Sequence, residues 1–363
     1  MKGANLFQRL LLPGLAFKAV VIGGGYATGR ELAAFFMPAG PRGGLCGMLL
    51  AMTIWSVVCA VTFLFALRTH SADYRTFFRH LLGPLWPAFE VSYLLALIVV
   101  LSALAAAAGS IGSALFGWPP LLGSISLVAC ITLVVTHGND AVEQLFKYVS
   151  FFLYAIFALF MILALSRFGS EVILNLETHT ETAGWLAGGA TYAGYNIIGA
   201  IIILPTLRHI TAPRDALIAG LCAGPLAMAP ALLLFVCMLG FYPTINDQLL
   251  PTDYMLERLD IPGLRVTFQL MVFTALLESG TGCVHAINQR VAKAYSDRHG
   301  KDLSKVRRAA VSTVVLAGSI FVATKYGLVA IIAGGYRWLA YCFLAIYVAP
   351  LMTFGMSRVI RTR

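Results

Sequence analysis

The sequence predicts an all-α integral membrane protein of ten helices. Three observations predict it: an apolar composition, apolar runs of membrane-spanning length, and basic residues segregated to alternate connections. Hydrophobic residues make up 59% of the 363 positions and charged residues 12%, about half the charged share of a soluble domain. In water such a chain would expose apolar surface well beyond the patch sizes that soluble monomers carry. A bilayer removes that problem. Runs near 20 residues place helices at residues 13–37, 43–68, 86–115, 119–136, 143–166, 183–207, 213–240, 263–295, 305–324 and 327–357, within a single transmembrane domain covering 1–363. The even number of spans puts both termini on one face.

Charge says which face that is. The net charge of +10 is unevenly distributed. Lys2, Arg9, Arg68, Arg75, Arg79, Lys147, Arg208, Arg214, the cluster from Arg290 to Arg308, and Arg358, Arg361 and Arg363 fall on one set of alternate connections. The other set holds Arg42, Arg167, Arg258, Arg265 and Lys325 with an acidic excess at residues 171–181 and 247–260. This asymmetry is the positive-inside pattern, so both termini are expected in the cytoplasm of a multi-pass plasma (inner) membrane protein. The bilayer is the partner implied. Nucleic acid is not, because no basic stretch is interleaved with exposed aromatics; a homo-oligomer is left open.

Cys46, Cys59, Cys130, Cys222, Cys237, Cys283 and Cys342 lie singly in apolar stretches without C-x-x-C spacing, which argues against zinc or disulfide roles. No cleavable leader is expected, since further spans follow the first apolar stretch at once.

Two spans differ from the rest. The first contains VVIGGGYATGREL, with Gly23, Gly24, Gly25 and Gly29, and the sixth contains GGATYAGYNIIGA, with Gly188, Gly189, Gly194 and Gly199. Each interior glycine costs a helix roughly 0.5–1 kcal/mol relative to alanine, so a cluster can open it. Backbone freed at bilayer depth is tolerated only where protein or a cavity satisfies it; close packing through small residues is the competing account. The two spans open two sets of five, about 13–166 and about 183–357. Because five is odd, the second set enters the membrane inverted. The long polar connections agree: residues 68–86 are basic, and their counterparts 241–263 are acidic. Paired broken helices in inverted halves mark a midplane solute site.

If the first break is unwound, the outer half-helix starts near Ala27 or Thr28 and its N–H groups favour an anion. The candidate solute-binding residues are Gly23, Gly24, Gly25, Tyr26, Thr28 and Gly29 in the first break, with Tyr192, Gly194, Tyr195 and Asn196 in the second. Aromatic walls with a few polar groups suit a small organic ligand, although ordinary packing explains any single tyrosine. Arg30 and Glu31 are gate candidates or interfacial helix-end residues. Glu278 stands in the apolar stretch from Val266 to Ala286; an intramembrane carboxylate faces a cavity or a partner, here a proton, a neighbouring hydroxyl, Lys18 or Arg337. The G-x-G spacing at Gly23 and Gly25 lacks the strand and ribose-binding acid of a nucleotide fingerprint. His137 and His285 have no companion ligand at useful spacing. No acid, histidine or nucleophile–base cluster at bilayer depth suggests an enzyme, and no cofactor is expected beyond a coupling ion.

Five plus five inverted helices with discontinuous helices one and six resemble the LeuT-type fold of the amino acid, polyamine and organocation transporter superfamily. GGGYATGRELAAFF at Gly23–Phe36 resembles the first helix of the YkvI-like membrane proteins. The resemblance implies a secondary active transporter of a small organic solute, amino acid or amine-like, coupled to Na⁺ or H⁺. A non-transporting solute sensor or accessory subunit is the alternative. It also implies a sodium site between the first break and helix eight, here near Gly24, Ser279 and Thr281. Glu278 beside it departs from the family's pair of hydroxyls and raises proton coupling or contact with a cationic solute. The start of helix five resembles a cytoplasmic entry, with Lys147 interfacial.

Overall fold

The computed structural model describes residues 5–137, 139–301 and 303–361; for residues 24–25, 136–137, 139–153, 305 and 360–361 it describes the backbone and not the side chains. Lys2 and Arg363, and the side chains of His137, Asp140, Glu143 and Lys147, therefore lie outside the described residues, as do the surroundings of Gly24 and Gly25. Every regular element among the described residues is helical, with no strand among them.

A short helix, α1 (Leu6–Leu10), begins with a reciprocal cap: Asn5 Oδ1 accepts from Gln8 N at 2.9 Å, and Gln8 Oε1 accepts from Asn5 N at 3.1 Å, which satisfies two donors that a helix start leaves free. The first predicted span then divides into three pieces. α2 (Leu12–Val21) stops at Ile22, whose ψ of 75° leaves the helical region. A single turn follows, α3 (Gly24–Ala27), and α4 (Arg30–Phe35) starts only after Gly29, whose φ of +74° suits glycine. The last piece thus begins at Arg30, later than the sequence predicts.

Next come α5 (Gly40–Arg68), the amphipathic α6 (Tyr74–Leu82), α7 (Trp86–Phe116), α8 (Pro120–His137) and α9 (Asn139–Thr178), which kinks at Phe168. The sixth predicted span is α10 (Trp185–Asn196) and α11 (Gly199–Ile202), separated by the two turn residues Ile197 and Ile198. Both keep right-handed dihedrals. This interruption is milder than that of the first span and falls after Gly194, because Gly188, Gly189 and Gly194 serve contact with neighbours. A Cβ on Gly189 would stand 2.5 Å from the Gly47 carbonyl oxygen, and one on Gly194 would stand 3.0 Å from Ala340 Cβ.

α12 (Pro213–Leu239) crosses α5 at similarly close range, with Gly220 against the Ala60 backbone. Small residues let helix backbones approach where lipid provides no hydrophobic drive for association. α13 (Pro251–Leu259) precedes the long α14 (Leu264–His299). α15 (Lys305–Ala330) breaks at Gly327, where φ is 73° and ψ 169°. The last stretch alternates π-helical turns at Ile331–Tyr336, Leu344–Val348 and Leu351–Gly355 with α16 (Arg337–Phe343) and α17 (Met356–Arg361).

Among the described residues, six helical stretches are long and apolar enough to cross a membrane: Arg30–Arg68, Tyr74–Phe116, Tyr154–Thr178, Pro213–Leu239, Leu264–His299 and Val306–Val359. Ten were expected from apolar runs: the first and sixth are split, the fourth is α8, whose side chains are described only to Val135, and the ninth and tenth join into one stretch. Large apolar side chains such as Ile162, Val314, Phe321 and Phe354 face outward, as a lipid-contacting surface requires.

Candidate functional site

The broken first span needs partners for its freed backbone, and part of that need is met locally. Gly29 N donates to Tyr26 O at 2.9 Å, and Thr28 Oγ1 accepts from Arg30 N at 3.3 Å. Thr252 N, at the start of α13, donates to Thr28 O at 3.2 Å. Beside this break lies a cavity of about 490 Å³, enough for a small organic molecule. Its wall brings together Gly23, Tyr26 and Glu31 from the first span, Tyr195 and Asn196 from the end of α10, and Glu278 and Ser279 from the middle of α14. A Cβ on Gly23 would stand 3.3 Å from Ser279 Oγ. The first break and the eighth predicted span therefore meet at this point.

Other candidates lie elsewhere. Tyr192 is fully buried and lies outside the cavity wall: its ring centroid is 4.8 Å from that of Phe36 and 5.5 Å from that of Trp55. Trp55 Nε1 in turn donates to Ala193 O at 3.2 Å, fixing α10 on α5. Gly194 packs on Ala340. Thr281 donates its hydroxyl to Leu277 O at 2.8 Å, within its own helix, and does not line the cavity.

Arg30 and Glu31 are adjacent in sequence and diverge in space. Arg30 Nη1 donates to Asn246 O at 3.0 Å and Gln248 O at 2.7 Å, binding α4 to the connection before α13. α13 itself is held by Arg265, which donates to both oxygens of the buried Asp253 at 2.9 and 2.7 Å, while Gln269 Nε2 donates to Asp253 Oδ1 at 2.9 Å. Glu31 turns inward. It is buried, lines the cavity and accepts a hydrogen bond from the Tyr195 hydroxyl.

Sequence reading missed much of the aromatic wall: Tyr93, Tyr154, Phe157 and Tyr336 also line the cavity. Tyr336 ends a π-helical turn after Gly334 and Gly335, and its ring centroid lies 4.6 Å from that of Tyr195. A glycine pair just before a tyrosine was the available signal, since π-turns recur at functional sites. Lys18 lies near the cavity, its Nζ 4.5 Å from the Tyr154 ring centroid; Arg337 is exposed. The wall continues through Ala19, Val20, Ile202, Cys283 and Ala286 toward the end of the molecule that bears Arg9, Arg208 and Arg290. Among the described residues, no three His, Cys, Asp or Glu side chains are grouped to hold a metal ion.

No family model and no curated protein matches the chain. Solved structures do. MhsT in complex with L-phenylalanine superposes with a TM-score of 0.60 at 13% identity, over 99% of this chain and 98% of that one. A manganese transporter from Eremococcus coleocola, in complex with an aromatic bis-isothiourea substituted compound, superposes with a TM-score of 0.56 at 14% identity, over 94% of this chain and 77% of that one. At such identities the likeness concerns the fold, and both neighbours are LeuT-fold transporters. The chain shares the LeuT-type fold with both.

Proposed function

We propose that this chain is a secondary active transporter of a small organic solute, amino acid or amine-like, working by alternating access around the cavity beside the first break. The observation that carries the reading is the convergence of Gly23, Tyr195, Glu278 and Ser279, from three separate spans, on one cavity. In this reading the chain has ten spans as a 5+5 inverted repeat, both termini are cytoplasmic in the plasma (inner) membrane, and the YkvI-like proteins are its kin. The cavity then extends toward the cytoplasm, while the bonds from Arg30 and Asp253 close the outer side. Coupling to Na⁺ draws support from Gly23 beside Ser279, and coupling to H⁺ from Glu278 in the wall.

Aromatic faces suit an organic group better than a bare metal ion, which favours a solute of the kind bound to MhsT over manganese. The test is uptake into proteoliposomes of radiolabelled amino acids and amines, with an imposed Na⁺ or pH gradient. Accumulation above equilibrium is expected under at least one gradient. Binding without accumulation under either gradient would convert the reading to a solute sensor.

A further inference from the structure

The cavity wall holds two carboxylates, and their surroundings differ. Glu278 shares a neighbourhood with Tyr154, over whose ring the Lys18 ammonium sits. Glu31 has an aromatic setting. Tyr195 donates to it, the ring of Tyr336 packs against Tyr195 at a tilt of 37°, and Tyr26, whose buried hydroxyl has no hydrogen-bond partner, lines the same wall. No ion pair reaches Glu31 among the described residues, and the adjacent Arg30 guanidinium is committed to Asn246 and Gln248. Among the described residues, the lining includes no Lys, Arg or His.

A carboxylate at this depth keeps its charge only if a cation answers it. Tyrosine faces attract ammonium groups by their quadrupole. An anionic group is disfavoured at the same spot, because Glu31 already occupies the first turn of α4 and a second negative charge beside it would be repelled. This reverses the preference that a bare helix start alone suggests. We infer that Glu31 with Tyr26, Tyr195 and Tyr336 forms the anchoring subsite for the ammonium group of an organic cation, so that the solute is an arylalkylamine-like cation in place of a carboxylate or zwitterion. The inference rests on the transport reading above and names its substrate class.

Three probes of matched shape and different charge test it: phenethylamine, L-phenylalanine and 3-phenylpropionate, titrated into the purified full chain by thermal shift and calorimetry. Phenethylamine is expected to bind, with the other two at least about tenfold weaker. Glu31→Gln should weaken the amine about tenfold or more, and Tyr195→Phe, which keeps the ring and removes the donor, by a smaller factor. If Glu31→Gln does not purify as a folded species, Tyr195→Phe and Tyr336→Leu carry the test. Preference for the zwitterion or the anion, or an amine affinity unchanged in every folded variant, overturns the subsite while leaving the transport reading intact. Stabilisation by Na⁺ alone with no organic probe bound also overturns it. Amine binding without accumulation in proteoliposomes sinks transport and keeps the subsite; no binding by any probe in folded protein counts against both.

Discussion

Glu278 and Ser279 are consecutive residues that face the same cavity and offer different coupling chemistry. If Glu278 carries the coupling proton, ligand binding to the wild-type chain should vary with pH, and Glu278→Gln should flatten that profile; this is read by titration at two or more pH values. Sodium dependence with no pH dependence, unchanged in Glu278→Gln, would remove the proton role. Ser279→Ala takes away the hydroxyl nearest Gly23. If sodium sits there, its stabilising effect on thermal unfolding should weaken by about tenfold in half-saturating concentration, the order expected for one lost ligand of a bound ion. An unchanged sodium titration would clear Ser279 of that role.

At the scale of elements, two kinds of glycine govern the helices. Gly29 holds a left-handed conformation, with φ of +74°, between α3 and α4. Gly29→Ala should destabilise the chain by about 1 kcal/mol from the conformation alone, with more from the Cβ approaching Pro251 at 3.1 Å. Gly189 has helical dihedrals and lies against the Gly47 backbone. Gly189→Leu should force α10 away from α5 and cost about 2–4 kcal/mol, in the range of severe overpacking. Thermal unfolding of the purified variants distinguishes the two effects, and a neutral Gly189→Leu would contradict the observed helix crossing. The Trp55–Ala193 hydrogen bond acts on the same pair of helices.

For the molecule as a whole, the connection at residues 241–263 and the cavity form one arrangement. Arg30, Thr28 and the Arg265–Asp253–Gln269 cluster fasten the connection at residues 241–263 over the first break. The wall through Ala286 leads toward the basic end. In a cysteine-free background, Ala286→Cys should react with a membrane-impermeant maleimide from the cytoplasmic side, and bound solute should slow that reaction severalfold. Labelling only from the outside would contradict the orientation proposed for the cavity. Asp253→Asn should loosen this cluster, since Arg265 would keep only the exposed Glu257, at 3.8 Å, as a charged partner; faster labelling of a cysteine reporter placed beside the cluster would reveal it.

Composition, span length and charge segregation made the membrane character and all-helical class legible in the sequence, because lipid imposes those features along the chain without reference to neighbours. Clustered glycines in the first span act as locally, since they weaken a helix wherever it lies. Which glycines bend and which only pack was not legible, because Gly29 and Gly189 are separated by φ and by what stands opposite them. The inward turn of Glu31, the outward turn of Arg30, and the meeting of Tyr195 with Tyr336 were decided by the tertiary structure alone. Each depends on residues far apart in sequence, and a cavity wall exists only once separate helices have packed against one another.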